Sequence, residues 1–313
     1  MKKILFIVAL SLIQHNIFSQ TTSDVGKIGL SVIMPENIDG LDASQLSKLE
    51  TKIIQIVAAS GIAATGYNNN FVIYPKFAVY ETNTVEGGMQ NIIVNTSELS
   101  LFIKQVDNNV IFSSISKSLK GSGNNKLLAI TNAISKINTD DTQLKNFVET
   151  AKTKIIQYYD SKCGDIISKA ETLVKKQDFE QALGLLMSVP EEVKCYSKIQ
   201  DKSIDVYKAY QNQKCSVQIH NASVSLTAND FTSALETLRQ IDPTAICFKE
   251  AQSMMKKIES KITAEQKKQY DLQLKMYNDQ VALEKLRINA IKEVASAYYK
   301  SRPNTVVYGY IIR

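Results

Sequence analysis

Four cysteines are the residues of this 313-residue chain whose type and spacing most clearly suggest chemistry. Cys163 and Cys195 bound one segment, and Cys215 and Cys247 bound a second segment of the same length. Four thiols can form two disulfides, hold a metal ion as thiolates, or stay unpaired in a core. The spacing lacks the Cys-x-x-Cys pairs of typical zinc sites. We therefore expect structural disulfides, with a zinc site and unpaired core thiols as the alternatives.

Residues suited to acid–base or nucleophilic catalysis are scarce. The chain has two histidines, and His15 lies in the N-terminal apolar segment, which leaves His220. We favour a surface or packing role for His220. The carboxylate pairs 140–141 and 191–192 lie at expected helix starts, where acidic side chains stabilise the helix dipole. An acid–base pair built from distant carboxylates stays open. We predict no catalytic residue, no cofactor and no metal site.

The glycine-containing stretch GSGNNK, residues 121–126, has part of a phosphate-binding pattern. A P-loop needs Gly-x4-Gly-Lys-Ser/Thr, and Lys126 stands where a dinucleotide-binding loop would have its third glycine. The helix start could still bind an anion through its free N–H groups. We favour a plain turn from a strand into a helix.

The first 19 residues have the pattern of a secretory signal peptide. Lys2 and Lys3 precede an apolar run at 4–13 that is too short to span a bilayer, and Ser19 is the small residue before the expected cleavage. An uncleaved anchor is the alternative, and no cysteine follows the run to carry a lipid. The segment resembles the export signals of Bacteroidota. That resemblance implies the periplasm, the outer membrane or the cell exterior, where disulfides persist.

The overall charge argues against one class of partner. The net charge of +6 falls to +4 once Lys2 and Lys3 are removed, and no long basic block remains. Nucleic-acid binding requires a stronger and more clustered positive charge. We expect no nucleic-acid partner and no transmembrane segment after signal removal.

Residues 20–140 are predicted to form an α+β domain. Alternation of apolar residues predicts a strand within 27–34. Richness in β-branched and aromatic residues predicts strands within 70–83 and 90–106, and the turn at 107–109 leads into a further strand within 110–119. Helical spacing predicts one helix near 46–57 and another after Gly123. The order is therefore strand, helix, three strands, helix. Turn residues at 107–109 indicate antiparallel neighbours, so we do not expect a doubly wound nucleotide-binding sheet.

Residues 141–262 are predicted to be helical and to contain an internal repeat with a period of 52. Each copy has the pattern of a helix end, a turn, a short helix opened by a capping Asp, and a turn at Pro190 or Pro243. The equivalent positions are Cys163 and Cys215, Ala170 and Ala222, Asp178 and Asp230, Phe179 and Phe231, Ala182 and Ala234, Leu183 and Leu235, Leu186 and Leu238, Cys195 and Cys247, and Tyr196 and Phe248.

Two resemblances follow from these patterns. The stretch KKQDFEQALGLLMSVP, residues 175–190, resembles the second helix of tetratricopeptide-type hairpins, although the period is longer than that family's and its first-helix signature is missing. The stretch VIFSSISKSLKGSGNNKLLAITNAI, residues 110–134, resembles the α+β domains of the curli secretion channel, FlgT and the TolB amino-terminal domain. The first resemblance implies a protein-binding scaffold, and the second implies a role in outer-membrane assembly.

Helix geometry selects the cysteine pairing. The stretch between Cys195 and Cys215 has no Pro or Gly, and as one helix it would separate its ends by about 30 Å. Disulfides need Cα atoms within about 7 Å. Pairing Cys163 with Cys215 would join successive repeats across a helix spacing of about 8–10 Å. The prediction is therefore Cys163–Cys195 and Cys215–Cys247.

Residues 263–313 are predicted to form a long helix and a final strand. Apolar residues recur at heptad spacing over 270–298, which is typical of a seam that packs on another helix. A coiled coil with a second copy is one reading, and packing on the preceding repeat is the one we favour. The stretch TVVYGYIIR, residues 305–313, would join the edge of the N-terminal sheet or of a partner.

The sequence thus predicts an α+β domain followed by an all-α, tetratricopeptide-like repeat domain, with a long C-terminal helix and a last strand. We expect a non-catalytic, exported protein that interacts with or scaffolds a protein partner in the cell envelope. The alternatives are a glycan- or peptidoglycan-related binder that uses the α+β domain, and a hydrolase of unrecognised type.

Overall fold

A computed structural model describes residues 27–38, 40–62, 71–86 and 91–301, except for the side chains at 270 and 273. The expected signal peptide at 1–19 and the expected strand at 305–313 lie outside the described residues.

The N-terminal part has the predicted order of strand, helix, three strands and helix. Its elements are β1 Leu30–Val32, α1 Ala43–Ala59, β2 Phe71–Val85, β3 Ile92–Gln105, β4 Ile111–Gly123 and α2 Lys126–Ser135. The strands lie in the order β1-β2-β3-β4. β1 runs parallel to β2, and β2, β3 and β4 are antiparallel neighbours. The expectation that this is not a doubly wound sheet is confirmed.

Alternation along the strands gives the sheet one buried face and one partly exposed face. Leu99, Leu101 and Ile103 of β3 are buried beneath the helices, because every second side chain points to the same side. The residues between them, such as Ser100 and Phe102, point to the other side and stay partly exposed. Among the described elements, α2 and α3 are the helices that pack on β4, and both do so on the buried side.

The GSGNNK stretch forms a strand-to-helix turn. Asn125 caps α2 by accepting a hydrogen bond from the Leu128 N–H at 2.8 Å. Gly121 lies so close to α2 that a Cβ there would be 2.0 Å from the Ala129 carbonyl oxygen. The glycine is therefore explained by the close packing of β4 against α2, whose Ala129 and Ala133 are fully buried.

The rest of the described chain is helical. Its elements are α3 Thr142–Lys175, α4 Phe179–Met187, α5 Tyr196–Thr227, α6 Phe231–Arg239, α7 Phe248–Glu259, α8 Ala264–Asn278 and α9 Gln280–Ser301. The first half of α3 packs on the sheet, where the rings of Tyr159 and Phe71 meet edge to face. One apolar core runs from the sheet through α3, α4 and the first half of α5. A separate core fills the space between the second half of α5, α6 and α7.

The C-terminal helical stretch is interrupted at one residue. Asp279 has an extended backbone, with ψ of 109°, and separates α8 from α9. Its carboxylate accepts hydrogen bonds from the N–H groups of Val281 and Ala282, so it begins a new helix. Only part of the heptad pattern is buried: Ile291 and Ala295 of α9 pack within the chain, whereas Val281 is exposed.

Candidate interaction surface

Two helical hairpins, which we call the first and second repeats, have the same kind of turn between their two helices. The first repeat is the second half of α3 with α4, and the second repeat is the second half of α5 with α6. Gln177 and Asn229 have positive φ angles of 61° and 59°, which ends each long helix. Asp178 and Asp230 then cap the short helices by accepting from N–H groups at 3.3 and 3.0 Å. The shared turn explains the repeated Asp-Phe motif.

Each repeat also contains one disulfide. The structure brings together Cys163 with Cys195 and Cys215 with Cys247, with Cα–Cα distances of 6.6 and 5.8 Å. α5 is one continuous helix between the two bridges, so Cys195 and Cys215 lie far apart, as helix length requires. The bridges tie each hairpin to the start of the next helix. None of the described cysteines is free.

A hydrogen bond beside each disulfide repeats with the same period, and the sequence analysis missed it. The carboxylate of Asp160 accepts from the Lys194 N–H at 2.9 Å, and the side-chain oxygen of Asn212 accepts from the Ile246 N–H at 3.1 Å. Both acceptors stand three residues before a cysteine. That shared spacing was the signal available in the sequence.

In the first repeat, α9 packs against the short helix α4. Tyr299 donates a hydrogen bond to the Gly184 carbonyl at 2.8 Å. A Cβ on Gly184 would lie 2.5 Å from the ring of Tyr298, so a larger residue there would displace α9. Lys292 of α9 also lies 3.5 Å from Glu191. The chain itself therefore occupies this face of the first repeat.

In the second repeat, α9 is held through a buried ion pair. Arg287 donates to both carboxylate oxygens of Asp242, at 2.6 and 2.9 Å, and the Asp242 side chain is 3% exposed. Burial acts to raise the pKa of Asp242, but hydrogen bonds from Arg287 and Thr244 outweigh it and leave the pKa below its ordinary value. Burial and the nearby Asp242 charge raise the pKa of Tyr207 to about 12. The cluster keeps α9 beside the turn between α6 and α7.

The carboxylates considered as catalytic candidates have structural partners. Asp141 caps α3 and lies 2.6 Å from Lys117, whose hydrogen bond lowers the pKa of Asp141. Glu191 and Glu192 pair with Lys292 and Lys152. Asp140 lies 3.4 Å from Lys145, so every carboxylate of the two acidic pairs has a basic partner.

The second half of α5 presents an exposed apolar stripe. Val217 and Val224 are 58% and 56% exposed and lie seven residues apart, on one side of the helix. His220 lies between them and is exposed as well. The equivalent residues of the first repeat are Asp165 and Thr172. The apolar stripe therefore belongs to the second repeat alone.

The described residues contain neither a cluster of metal-ligating side chains nor a membrane-spanning helix. Within 27–38, 40–62, 71–86 and 91–301, there is no group of three or more His, Cys, Asp or Glu that could hold a metal ion. In the same ranges, no helix has the length and apolarity needed to cross a membrane.

Comparison with known proteins assigns the chain to no family. No protein-family model matches the chain, and no curated protein matches it. One solved structure, described as a minor lipoprotein from Acinetobacter baumannii, is 15% identical; the match covers 41% of this chain and 84% of that chain, with a TM-score of 0.21. A similarity this weak carries no argument about fold or function.

Proposed function

We propose that this is an exported, non-catalytic protein that docks a protein partner in the cell envelope. The observation that carries the proposal is the exposed Val217–Val224 stripe on a repeat whose shape is constrained by a disulfide. Two exposed valines, two turns apart on one side of a continuous helix, suit a partner that offers apolar side chains at a matching spacing.

The proposed location rests on separate features. The signal-like N-terminus and two disulfides suit a compartment outside the cytoplasm. The resemblance of residues 110–134 to outer-membrane assembly proteins leads us to propose that the partner acts in that process. The tetratricopeptide-like pattern of each hairpin supports a scaffold, because stacked helical hairpins expose extended surfaces.

The internal repeat supplies a matched control for the experiment. A photoreactive phenylalanine analogue is placed at Val224 in one strain and at the equivalent Thr172 in another, and intact cells are irradiated. We expect one discrete protein adduct from position 224 and none from position 172. The double variant Val217→Asp and Val224→Thr carries the first-repeat residues and is expected to abolish the partner's co-purification. Equal adducts at both positions, or none at position 224, would contradict the proposed surface.

The partly exposed face of the sheet supports a second candidate, a glycan-binding role. On this face the rings of Tyr74 and Phe102 lie 6.4 Å apart, and the Lys104 ammonium lies 5.4 Å from the Tyr74 ring. Ser100 and Ser116 share a hydrogen bond of 2.7 Å beside them. Aromatic rings next to hydroxyl and ammonium groups can contact a sugar's apolar face and its hydroxyl groups.

Binding to purified peptidoglycan tests this second candidate. Co-sedimentation of the mature protein with peptidoglycan is expected to fall at least several-fold in Phe102→Ala and to persist in Ser118→Ala, which changes the same strand pair farther along. Failure of the wild-type protein to co-sediment would remove the glycan candidate and leave the partner-docking proposal unaffected.

A further inference from the structure

The last helix of the repeat region, α7, has a basic exposed face. Its apolar side is buried against the second core, through residues such as Ala251 and Met255. Lys249, Ser253 and Lys256 lie on the opposite side by helical spacing, and Lys257 is exposed next to them. We call Lys249, Lys256 and Lys257 the lysine stripe.

Few carboxylates neutralise the lysine stripe. No lysine of the stripe forms an ion pair with another described residue. Glu259, at the end of α7, is paired with Lys267 at 3.1 Å. Glu250, in the first turn, is the acidic residue that stays exposed near the stripe. The face therefore keeps a net positive charge.

The repeat shows that this charge is not a general property of the hairpins. Shifted back by 52 residues, the three positions of the lysine stripe are Ser197, Ile204 and Asp205 at the start of α5. Ser253 likewise corresponds to Asp201. The equivalent face of the inner helix is thus acidic where that of the outer helix is basic.

An exposed apolar side chain adjoins the lysine stripe. Ile246 is 79% exposed in the turn just before Cys247, three residues from Lys249. Its equivalent in the first repeat is Lys194. The Ile246 backbone N–H is bonded to Asn212, and the next residue is in a disulfide, so this turn is held in place. An apolar tip beside ammonium groups matches the boundary between lipid headgroups and acyl chains.

We propose that the lysine stripe and Ile246 together bind an anionic phospholipid surface, which orients the protein on a membrane. The lysines contact the headgroup phosphates and Ile246 enters the interfacial layer. Each lysine near such a surface contributes on the order of 1 kcal/mol, so the association is weak, reversible and sensitive to salt.

Vesicle co-sedimentation of the mature protein tests the proposal. The vesicles are phosphatidylglycerol mixed in equal parts with phosphatidylcholine, compared with phosphatidylcholine alone. We expect binding to the anionic vesicles that high salt removes. The variant Lys249→Glu, Lys256→Glu, Lys257→Glu is expected to lose roughly a hundredfold in partitioning. Ile246→Ser is expected to lose about fivefold.

A second triple variant with the same change in net charge tests whether the position of the lysines matters. Lys154→Glu, Lys169→Glu, Lys198→Glu changes the net charge equally at exposed sites on α3 and α5 and is expected to bind as the wild type. Circular dichroism checks that all variants are folded. Equal loss in the two triple variants, or wild-type binding to neutral vesicles of the same strength, would overturn the proposal. Binding to lipid-free dextran sulfate as tight as to vesicles, with no effect of Ile246→Ser, would overturn the choice of a lipid.

Discussion

The first repeat is enclosed by other parts of the molecule, whereas the second repeat lies at its edge. The first shares its core with the sheet and is contacted by α9 at Gly184. The second has a core of its own, and Glu236 stands at the position equivalent to Gly184. The hairpin chemistry is the same in both, so the difference lies in the outward-facing residues. Duplication preserved the turn, the cap and the disulfide, and it left the surface positions unlike one another.

Removing the disulfides should produce the largest difference in stability between the two repeats. Each bridge joins residues 32 apart, so loop-closure entropy predicts a similar loss of about 3–4 kcal/mol for Cys163→Ala/Cys195→Ala and for Cys215→Ala/Cys247→Ala. Because the second core is separate, we expect the second variant to open the second repeat alone and the first variant to lower global stability. Amide hydrogen exchange resolved along the chain would measure this. A uniform loss of protection in both variants would contradict the distinction between the two cores.

The buried ion pair exists only in the second repeat, because Pro190 stands where Asp242 does in the first. Arg287→Ala leaves the Asp242 carboxylate buried without its partner and is expected to cost about 3 kcal/mol at neutral pH. The pKa of Asp242 is lowered in the folded protein. The contribution of the ion pair to the free energy of unfolding is therefore present above pH 3.8, the ordinary pKa of the carboxyl group. It is lost as the pH falls through the lower pKa of the folded protein.

Denaturant unfolding of the wild type and Arg287→Ala at several pH values checks this expectation. The difference between the two proteins should shrink as the pH falls, because protonation removes the unpaired Asp242 charge of the variant and, below pH 3.8, weakens the ion pair of the wild type. Lys285→Ala, at an exposed position two residues earlier, is the control and should change stability little. A difference independent of pH would show that Arg287 acts through packing alone.

Exchanging the residues at position 184 and its equivalent, 236, should show that Gly184 is what lets α9 pack on the first repeat. Gly184→Glu places a side chain where Tyr298 packs and is expected to cost about 2 kcal/mol through overpacking and release of α9. The reverse change, Glu236→Gly, meets no such contact in α6 and should cost only about 1 kcal/mol of helix propensity. Exchange protection of α9 amides distinguishes them, and equal loss of that protection in both variants would contradict the assigned role of Gly184.

The smallest expected difference concerns the turn residue with positive φ. Gln177→Gly should stabilise the first repeat by about 0.5 kcal/mol, because glycine adopts this backbone conformation without the strain that a glutamine bears. Asn229→Gly should be nearly neutral, since asparagine tolerates the same conformation. Midpoints of urea unfolding for the two variants measure the contrast, and a larger gain for Asn229→Gly would reverse it.

Local signals in the sequence predicted most of the fold. The period-2 alternation predicted the first strand, the β-branched and aromatic content and the turn at 107–109 predicted the three antiparallel strands, and the glycines of residues 121–126 predicted the turn before α2. The repeated Asp-Phe motif predicted both short helices, because capping and side-chain periodicity act within a few residues.

Long-range contacts were not predictable in the same way. Arg287 and Asp242 are 45 residues apart in the chain, and neither has a neighbour that marks it as half of a pair. The break at Asp279 was missed because one capping side chain interrupts an otherwise helical pattern. The packing of α9 was partly predicted, since the heptad spacing over 270–298 favoured packing on the preceding repeat. The difference between Gly184 and Glu236 at equivalent positions was a further signal that went unused.

The length and continuity of α3 have a mechanical consequence. Its 34 residues form one rod of about 50 Å, with one end built into the sheet and the other end forming half of a hairpin. α3 is continuous through its internal glycine, Gly164, and has no internal proline, so a force on the hairpin is transmitted along the helix to the β-strands. A force on the first repeat would therefore also act on the sheet, because α3 belongs to both.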